Sequence, residues 1–513
     1  MSPEIRTEIR DVAPPLRPGE DRPLELDLDE VAQRQVVARL ISRDYDDWSR
    51  ALSEVGFCAR PIRLVGRSET FDTATGALVR SYGSADEALG VTFIRCGNRR
   101  ADKCESCSRL YAADTFQLIR AGIGGGKTVP ETVADNPLVF ATLTAPSFGP
   151  VHGARPNRGR CRPRRDSGQD CAHGRPTSCM AVHGEDDPTV GQPLCPDCYD
   201  YASQVVWQWW APELWRRFTI TLRRLLAHHL ATTPGRLGEV ASLQYAKVAE
   251  YQLRGAVHFH ALVRLDGPQT PDGFAPAPAA ITAPALACLV EEAATAVRFT
   301  APPVHHDDAE RVLAFGAQVD IRVVRTSRRT DDPERSLRPE QVAGYLAKYA
   351  TKSTGETAAK DNAHFHRLNR TARHLASRAT ALEKDPDAPY GLLGKWAHTL
   401  GFRGHFATKS RRYSVTLGQL RRARQRAQAR IAEAKRAATR IDLRQLEAEL
   451  LADEADETTV VIGSWVYAGS GWANEGETAL AVAAAARARE YAQERAQARR
   501  ERKAGNAGRS EDR

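Results

Sequence analysis

Gly255-Ala-Val-His258-Phe-His260-Ala-Leu-Val-Arg264 is the stretch on which the reading of this chain turns. Its apolar, β-branched composition predicts a strand, and the two-residue period of a strand puts His258 and His260 on one face with Val257 and Phe259 on the other. Two imidazoles at that spacing can hold one ion. Seven residues separate Glu250 from His258, enough to bring a carboxylate to the same ion from the start of the strand or the turn before it, which makes a two-histidine, one-carboxylate candidate site. An isolated His-x-His pair is as readily a solvated or core pair, so the reading needs a second element.

Val342-Ala-Gly-Tyr345-Leu-Ala-Lys348-Tyr349-Ala-Thr-Lys352 supplies it. Pro339 suits a first helical turn and Gly355 lies beyond the last, so a helix is expected between them. Tyr345, Lys348, Tyr349 and Lys352 fall at i, i+3, i+4 and i+7, one stripe of phenols and ammonium groups, while Val342, Leu346 and the alanines form the packing face. The plain alternative is an amphipathic helix with half-buried tyrosines and snorkelling lysines. Taken with the histidines, the stripe reads as phosphodiester chemistry. A phenolate attacks phosphorus, a divalent ion on Glu250, His258 and His260 polarises the phosphate, and Lys348 or Lys352 favours the phenolate or the developing charge.

Glu250-Tyr-Gln252-x-Arg254-Gly255-x-x-His258-x-His260 followed by Tyr345-x-x-Lys348-Tyr349-x-x-Lys352 resembles the HUH endonuclease superfamily, in particular its two-tyrosine rolling-circle replication initiators. The likeness extends to initiators of actinobacterial plasmids and integrative elements. Val139-Phe-Ala-Thr142-Leu-Thr144-Ala-Pro146 is similar to the first strand motif of these nucleases, and Gly401-Phe-Arg-Gly-His405-Phe-Ala-Thr-Lys-Ser410-Arg-Arg-Tyr413 to a segment of the actinobacterial initiators. The resemblance implies an α+β fold with a central antiparallel sheet flanked by helices. It implies Tyr345 as first nucleophile and Tyr349 for a second transfer, with exchangeable roles, and Mg or Mn at the histidine site. The partner would be origin DNA, single-stranded at the nick, with a host helicase as a candidate second partner. Arg254, Arg421 and Arg422 are DNA-contact candidates. Transposases and relaxases share this chemistry. Outside it, a non-haem iron oxygenase uses the same ligand triad but leaves the tyrosine and lysine stripe unexplained, and a non-enzymatic zinc DNA-binding regulator makes both motifs structural.

Ten cysteines form the other strong pattern. Cys104-x-x-Cys107 and Cys195-x-x-Cys198 have the spacing at which two thiolates grip one tetrahedral ion. Cys96 precedes the first pair, while Cys161, Cys171, His173, Cys179 and His183 crowd a loop-like stretch before the second. Met1-Ser-Pro-Glu lacks a signal peptide's features, so a reducing, cytoplasmic setting is expected and structural zinc outranks disulfides. One or two zinc ions are expected. The simplest site joins the two Cys-x-x-Cys pairs.

A formal charge of +9, from 73 Lys and Arg against 64 Asp and Glu, suits a polyanionic partner. An apolar share of 42% is enough for a sizeable core and argues against a disordered chain. No uninterrupted apolar run reaches membrane-span length. Ala121-Gly-Ile-Gly-Gly-Gly126-Lys127-Thr128 looks like a phosphate loop, but Ala121 replaces the first glycine and a helical pattern precedes it, so it reads as a plain glycine-rich loop. His364-Phe-His366 sits in polar sequence and reads as a solvated face. The tryptophans 207, 209, 210 and 215 lie in an expected long helix and read as packing.

At 513 residues the chain exceeds one ordinary domain. The expected layout is an accessory region over 1–90, disordered at its start, a zinc knuckle and helix over 91–137, and an endonuclease core over 138–415 with a zinc-stapled loop insertion at 152–198. A basic helical region is expected over 416–513.

Overall fold

The computed structural model describes residues 28–127, 129–154, 159–161, 170–184, 186–271, 273–324, 339–351, 362–380, 389–437, 439–441 and 459–511. The expected disorder at the start of the chain falls on residues 1–27, outside that set. Two compact units divide the chain: residues 112–451, and residues 1–111 together with 452–513.

The larger unit is built on strands β1 (Leu138–Leu143), β2 (Ser242–Tyr251), β3 (Val257–Asp266), β4 (Val319–Val323) and β5 (Ala407–Lys409). They form one antiparallel sheet in the order β4-β1-β3-β2-β5. This agrees with the expected central antiparallel sheet. β2 and β3 are a hairpin. Its turn closes through the Gly255 amide donating to the Gln252 carbonyl, and Gly255 has φ +70°, where a side chain is strained and would meet Leu368 and Leu400.

Beneath one face of the sheet runs helix α1 (Tyr201–His229), capped by the Asp200 carboxylate accepting from the Ser203 amide. Val139, Ala141, Val257, Phe259 and Ala261 point into this side and are fully buried. Trp207, Trp209 and Trp215 are packing residues, as the sequence indicated: Trp215 meets Phe259 edge-on at 5.9 Å between ring centres, and the Trp207 indole donates to the Ala314 carbonyl at 2.8 Å. Helices α2 (Ala283–Ala296), α3 (Pro339–Thr351), α4 (Ala363–Thr380) and α5 (Leu417–Arg436) also belong to this unit, and the helix Glu105–Gly124 ends in it.

Gly401 to Tyr413 has a packing role. The Tyr413 ring is wholly buried against Gly122, where a Cβ would stand 2.1 Å from the ring, and Arg264 lies over the same ring at 5.3 Å. Arg264 pairs with Asp266 at 2.7 Å and donates to the Gly122 carbonyl. The turn after the glycine-rich run closes between Gly126 and Val129, as a plain loop.

In the smaller unit, strand Thr459–Ser470 pairs along its whole length with Ile62–Asp72, and Leu78–Gly83 and Thr92–Ile94 extend the sheet. Helices Glu30–Leu40, Tyr45–Glu54 and Glu475–Glu511 pack with it around Trp48, Leu52, Trp472 and Leu480. The layout expected from the sequence therefore changes. The end of the chain returns to the N-terminal region, and it does so with a strand where a wholly helical tail was expected.

Candidate functional site

The β-hairpin register places Glu250 directly opposite His258, and β1 places Thr142 directly opposite His260. Pairs opposite one another in a sheet share a face. Glu250, His258, His260, Thr142 and Phe140 consequently all rise from the face opposite α1. Glu250 Oε2 lies 3.2 Å from His258 Nε2 and 3.3 Å from His260 Nε2. Donors around an ion with bonds of about 2.1 Å stand roughly 3.0–3.4 Å apart, so the trio has the dimensions of a coordination face. His260 is held on its other side, where Nδ1 is 3.1 Å from Thr142 Oγ1 and the ring stacks on Phe140 at 5.6 Å. A hydroxyl at Nδ1 leaves Nε2 as the metal-facing nitrogen.

Helix α3 packs on β2 through its buried side, Val342, Ala343, Leu346 and Ala347. That turns Tyr345 toward the triad. Its hydroxyl is 3.2 Å from His260 Nε2, its ring stands edge-on to His260 and to Phe140, and it stays 39% exposed. Lys348 is exposed one turn further on. Tyr349 belongs to the same helix, but its side chain, and Lys352 altogether, lie outside the described residues.

Arg254 is a correction to the sequence reading. Its guanidinium donates to the carbonyls of Pro146 at 2.7 Å and Ala145 at 2.8 Å and to Gln252, so it fastens the hairpin turn to the chain leaving β1. His364 is a second correction. It is buried, 3.2 Å from the Tyr201 hydroxyl and 3.0 Å from the Arg254 carbonyl, and burial pulls its pKa down to about 4, so it is a neutral core residue. Its neighbour His366 is exposed, as expected. Arg421 and Arg422 are exposed on α5.

The cysteines sort differently from the simplest expectation. The two Cys-x-x-Cys pairs do not share a site. Cys104 and Cys107 meet Cys96 and Cys58 in the smaller unit, while Cys195 and Cys198 meet Cys171 and His173 in the larger one. A third group joins Cys161 with His152, Cys179 and His183. Each group could hold a metal such as zinc. Cys58 was missed because it stands alone in sequence, with no local spacing to mark it, and His152 because it opens the insertion rather than lying within its cysteine-rich run.

A sheet face bearing two histidines and a carboxylate under a helix-borne tyrosine, on a basic chain with cysteine clusters, defines a candidate metal and phenol site. The chain belongs to the RepSA family, the replication initiator protein of pSAM2, whose sequence model matches residues 44–486. It is similar to a replication initiator protein of Streptomyces ambofaciens, 40% identical over 451 residues that cover 86% of this chain and 89% of that protein. No solved structure matches. Among the described residues, no helix is long and apolar enough to cross a membrane.

Proposed function

We propose that this replication initiator acts as an HUH-type endonuclease and strand transferase, opening one strand of its origin by transesterification onto Tyr345 for rolling-circle replication. The observation that carries the proposal is the Tyr345 hydroxyl 3.2 Å from His260 Nε2, on the same sheet face as Glu250 and His258. The phenol oxygen forms a bond to phosphorus, the bond to the 3′ oxygen breaks, and the phenol proton ends on the departing 3′-hydroxyl. The product is a 5′-phosphotyrosine ester with its bond energy conserved, and a free 3′ end for extension. Glu250, His258 and His260 would hold Mg or Mn; such an ion supplies positive charge to a phosphate oxygen. Thr142 holds His260 in the orientation that keeps Nε2 on the site side. Lys348 adds positive charge along the helix that carries the nucleophile. Tyr349 is the candidate for the second transfer, and Arg421 and Arg422 are candidate phosphate contacts outside the site.

The test uses the full chain, Mg²⁺ or Mn²⁺, and supercoiled DNA carrying the flanking region of its own gene. The expected products are a nicked circle and a covalent protein–DNA adduct. Tyr345→Phe combined with Tyr349→Phe is expected to lower nicking by at least about 10³-fold, the scale on which loss of a nucleophile is felt, and Tyr345→Phe alone to remove the adduct at that position. Undiminished adduct in Tyr345→Phe overturns the assignment of the nucleophile. Origin binding by the wild type without any nicking, under either metal, favours the zinc-stapled regulator.

A further inference from the structure

Among its described residues the segment from His152 to Cys198 shows no helix and only isolated bridges, such as Val151 with Pro193 and Asp170 with Pro176. Few of its described side chains belong to the apolar core beneath the sheet. Something other than apolar burial must hold its shape. The eight histidine and cysteine side chains here fall into two groups that alternate in pairs along the chain. His152 and Cys161 belong to the first, Cys171 and His173 to the second, Cys179 and His183 to the first again, and Cys195 and Cys198 to the second.

We infer that this insertion holds two zinc ions on interleaved donor sets, one of two histidines and two thiolates and one of a histidine and three thiolates, and that the smaller unit holds a third on four thiolates. Distances support tetrahedral sites. With Zn–S about 2.3 Å and Zn–N about 2.0–2.1 Å, tetrahedron edges are about 3.8 Å between sulfurs, 3.5 Å between sulfur and nitrogen and 3.3 Å between nitrogens. In the first set, His152 Nδ1 lies 3.2 Å from His183 Nε2, and Cys179 Sγ lies 3.4 Å from the same nitrogen. In the second, His173 Nδ1 lies 3.3 Å from Cys198 Sγ and 3.8 Å from Cys195 Sγ. In the smaller unit, Cys58 Sγ is 3.8 Å from Cys104 and 3.6 Å from Cys107.

An independent feature points the same way. Asp187 Oδ2 is 2.7 Å from His183 Nδ1, which fixes the ring so that Nε2 faces the other donors, the arrangement that outer carboxylates impose on metal-bound histidines. The interleaving has a mechanical consequence, because each set bridges chain that the other set also bridges, so neither loop can open while both ions are held. The module then braces the hairpin of the proposed active site. Gly191, at φ +87°, lies so close to the turn that a Cβ would stand 2.4 Å from the Leu253 backbone, and Asp197 pairs with Arg367 of α4 at 2.9 Å.

The experiment is ¹¹³Cd NMR on the full chain with cadmium in place of zinc, where each resonance moves downfield with its number of thiolate donors. Three thiolate-bound resonances are expected, of the two-, three- and four-sulfur classes. The histidine and carboxylate triad has no sulfur and does not enter this count. Ligand-swapped variants keep the sites filled. His183→Cys is expected to move the two-sulfur resonance into the three-sulfur class and leave the others in place, and His173→Cys to move the three-sulfur resonance into the four-sulfur class. Fewer than three thiolate-bound resonances, or a swap that moves a different resonance or none, overturns the assignment.

Discussion

The five-stranded sheet and the insertion that leaves its second strand position are held by different chemistry. β1 and β3 bury nearly every side chain of one face against α1, so burial of Val139, Ala141, Val257, Phe259 and Ala261 is sufficient reason for them to stay in register. Between His152 and Cys198 there is little apolar surface to bury, and the groups that converge are thiols and imidazoles. A short segment that cannot build a core needs another means of fixing its loops. The sheet can therefore be expected to survive conditions that dismantle the insertion.

The largest effect tests that contrast directly. Treating the full chain with a strong thiophilic chelator under reducing conditions is expected to release amide protection throughout the described parts of 152–198, while amides of Val257–Asp266 stay protected. Hydrogen exchange reads both regions in one experiment. Equal protection in the insertion before and after chelation would show that its loops hold without metal.

A smaller effect is expected where the sheet meets the site. Thr142→Val keeps the size and the strand register but removes the hydroxyl 3.1 Å from His260 Nδ1. Nicking is expected to fall by about 10–100-fold, the range seen when the partner of a metal-bound histidine is lost, with a corresponding rise in the Mn²⁺ concentration needed for half-maximal rate. A purely structural role for Thr142 would lower the melting temperature and leave the metal dependence where it was.

The smallest effect concerns the apolar side of the sheet. Lys247 lies there almost wholly buried, with its ammonium 4.3 Å from the Phe259 ring and 5.3 Å from Trp215, and burial pulls its pKa down to about 7. The unfolded chain keeps that proton up to the ordinary value of 10.5, so between about 7 and 10.5 the unfolded state binds more protons and stability rises with pH. Below about 7 the cost of burying the charge is fully present. Lys247→Met is expected to raise the melting temperature near neutral pH, with the gain shrinking toward pH 10; melts across that range measure it. A gain that does not change with pH would mean that packing, not charge, is what the substitution alters.

What could be read directly from residue order was whatever repeats over a few positions. The period of two in Val257-His258-Phe259-His260 sorts its side chains to opposite faces of any sheet that forms, and the period of 3.6 in Val342 to Lys348 separates Leu346 and the alanines from Tyr345 and Lys348 on any helix. Strands β1 to β4 of the sheet and the long tryptophan helix were legible for the same reason, whereas the short edge strand β5, three residues long, carries no such period. Thr459-Val-Val-Ile-Gly-Ser-Trp-Val-Tyr467 carries an equally local signal, β-branched and aromatic, that marks a strand, although its partner lies at Ile62–Asp72, almost the length of the chain away.

Tertiary structure alone decided the rest, because contacts between distant positions leave no spacing to read. Glu250 meets His258 through a hairpin register, and Tyr345 meets His260 because the buried side of α3 lies on β2. Arg254 looks from its neighbours like a DNA contact, and the approach of two carbonyls from the end of β1 makes it a fastener. The cysteines make the point most clearly. Spacing identified Cys104 with Cys107 and Cys195 with Cys198 as pairs, since two thiols that close in sequence can always reach one ion. Which further residues complete each set, Cys58 and Cys96 for one and Cys171 and His173 for the other, depends on the path the chain takes between them, and that path exists only in the folded molecule.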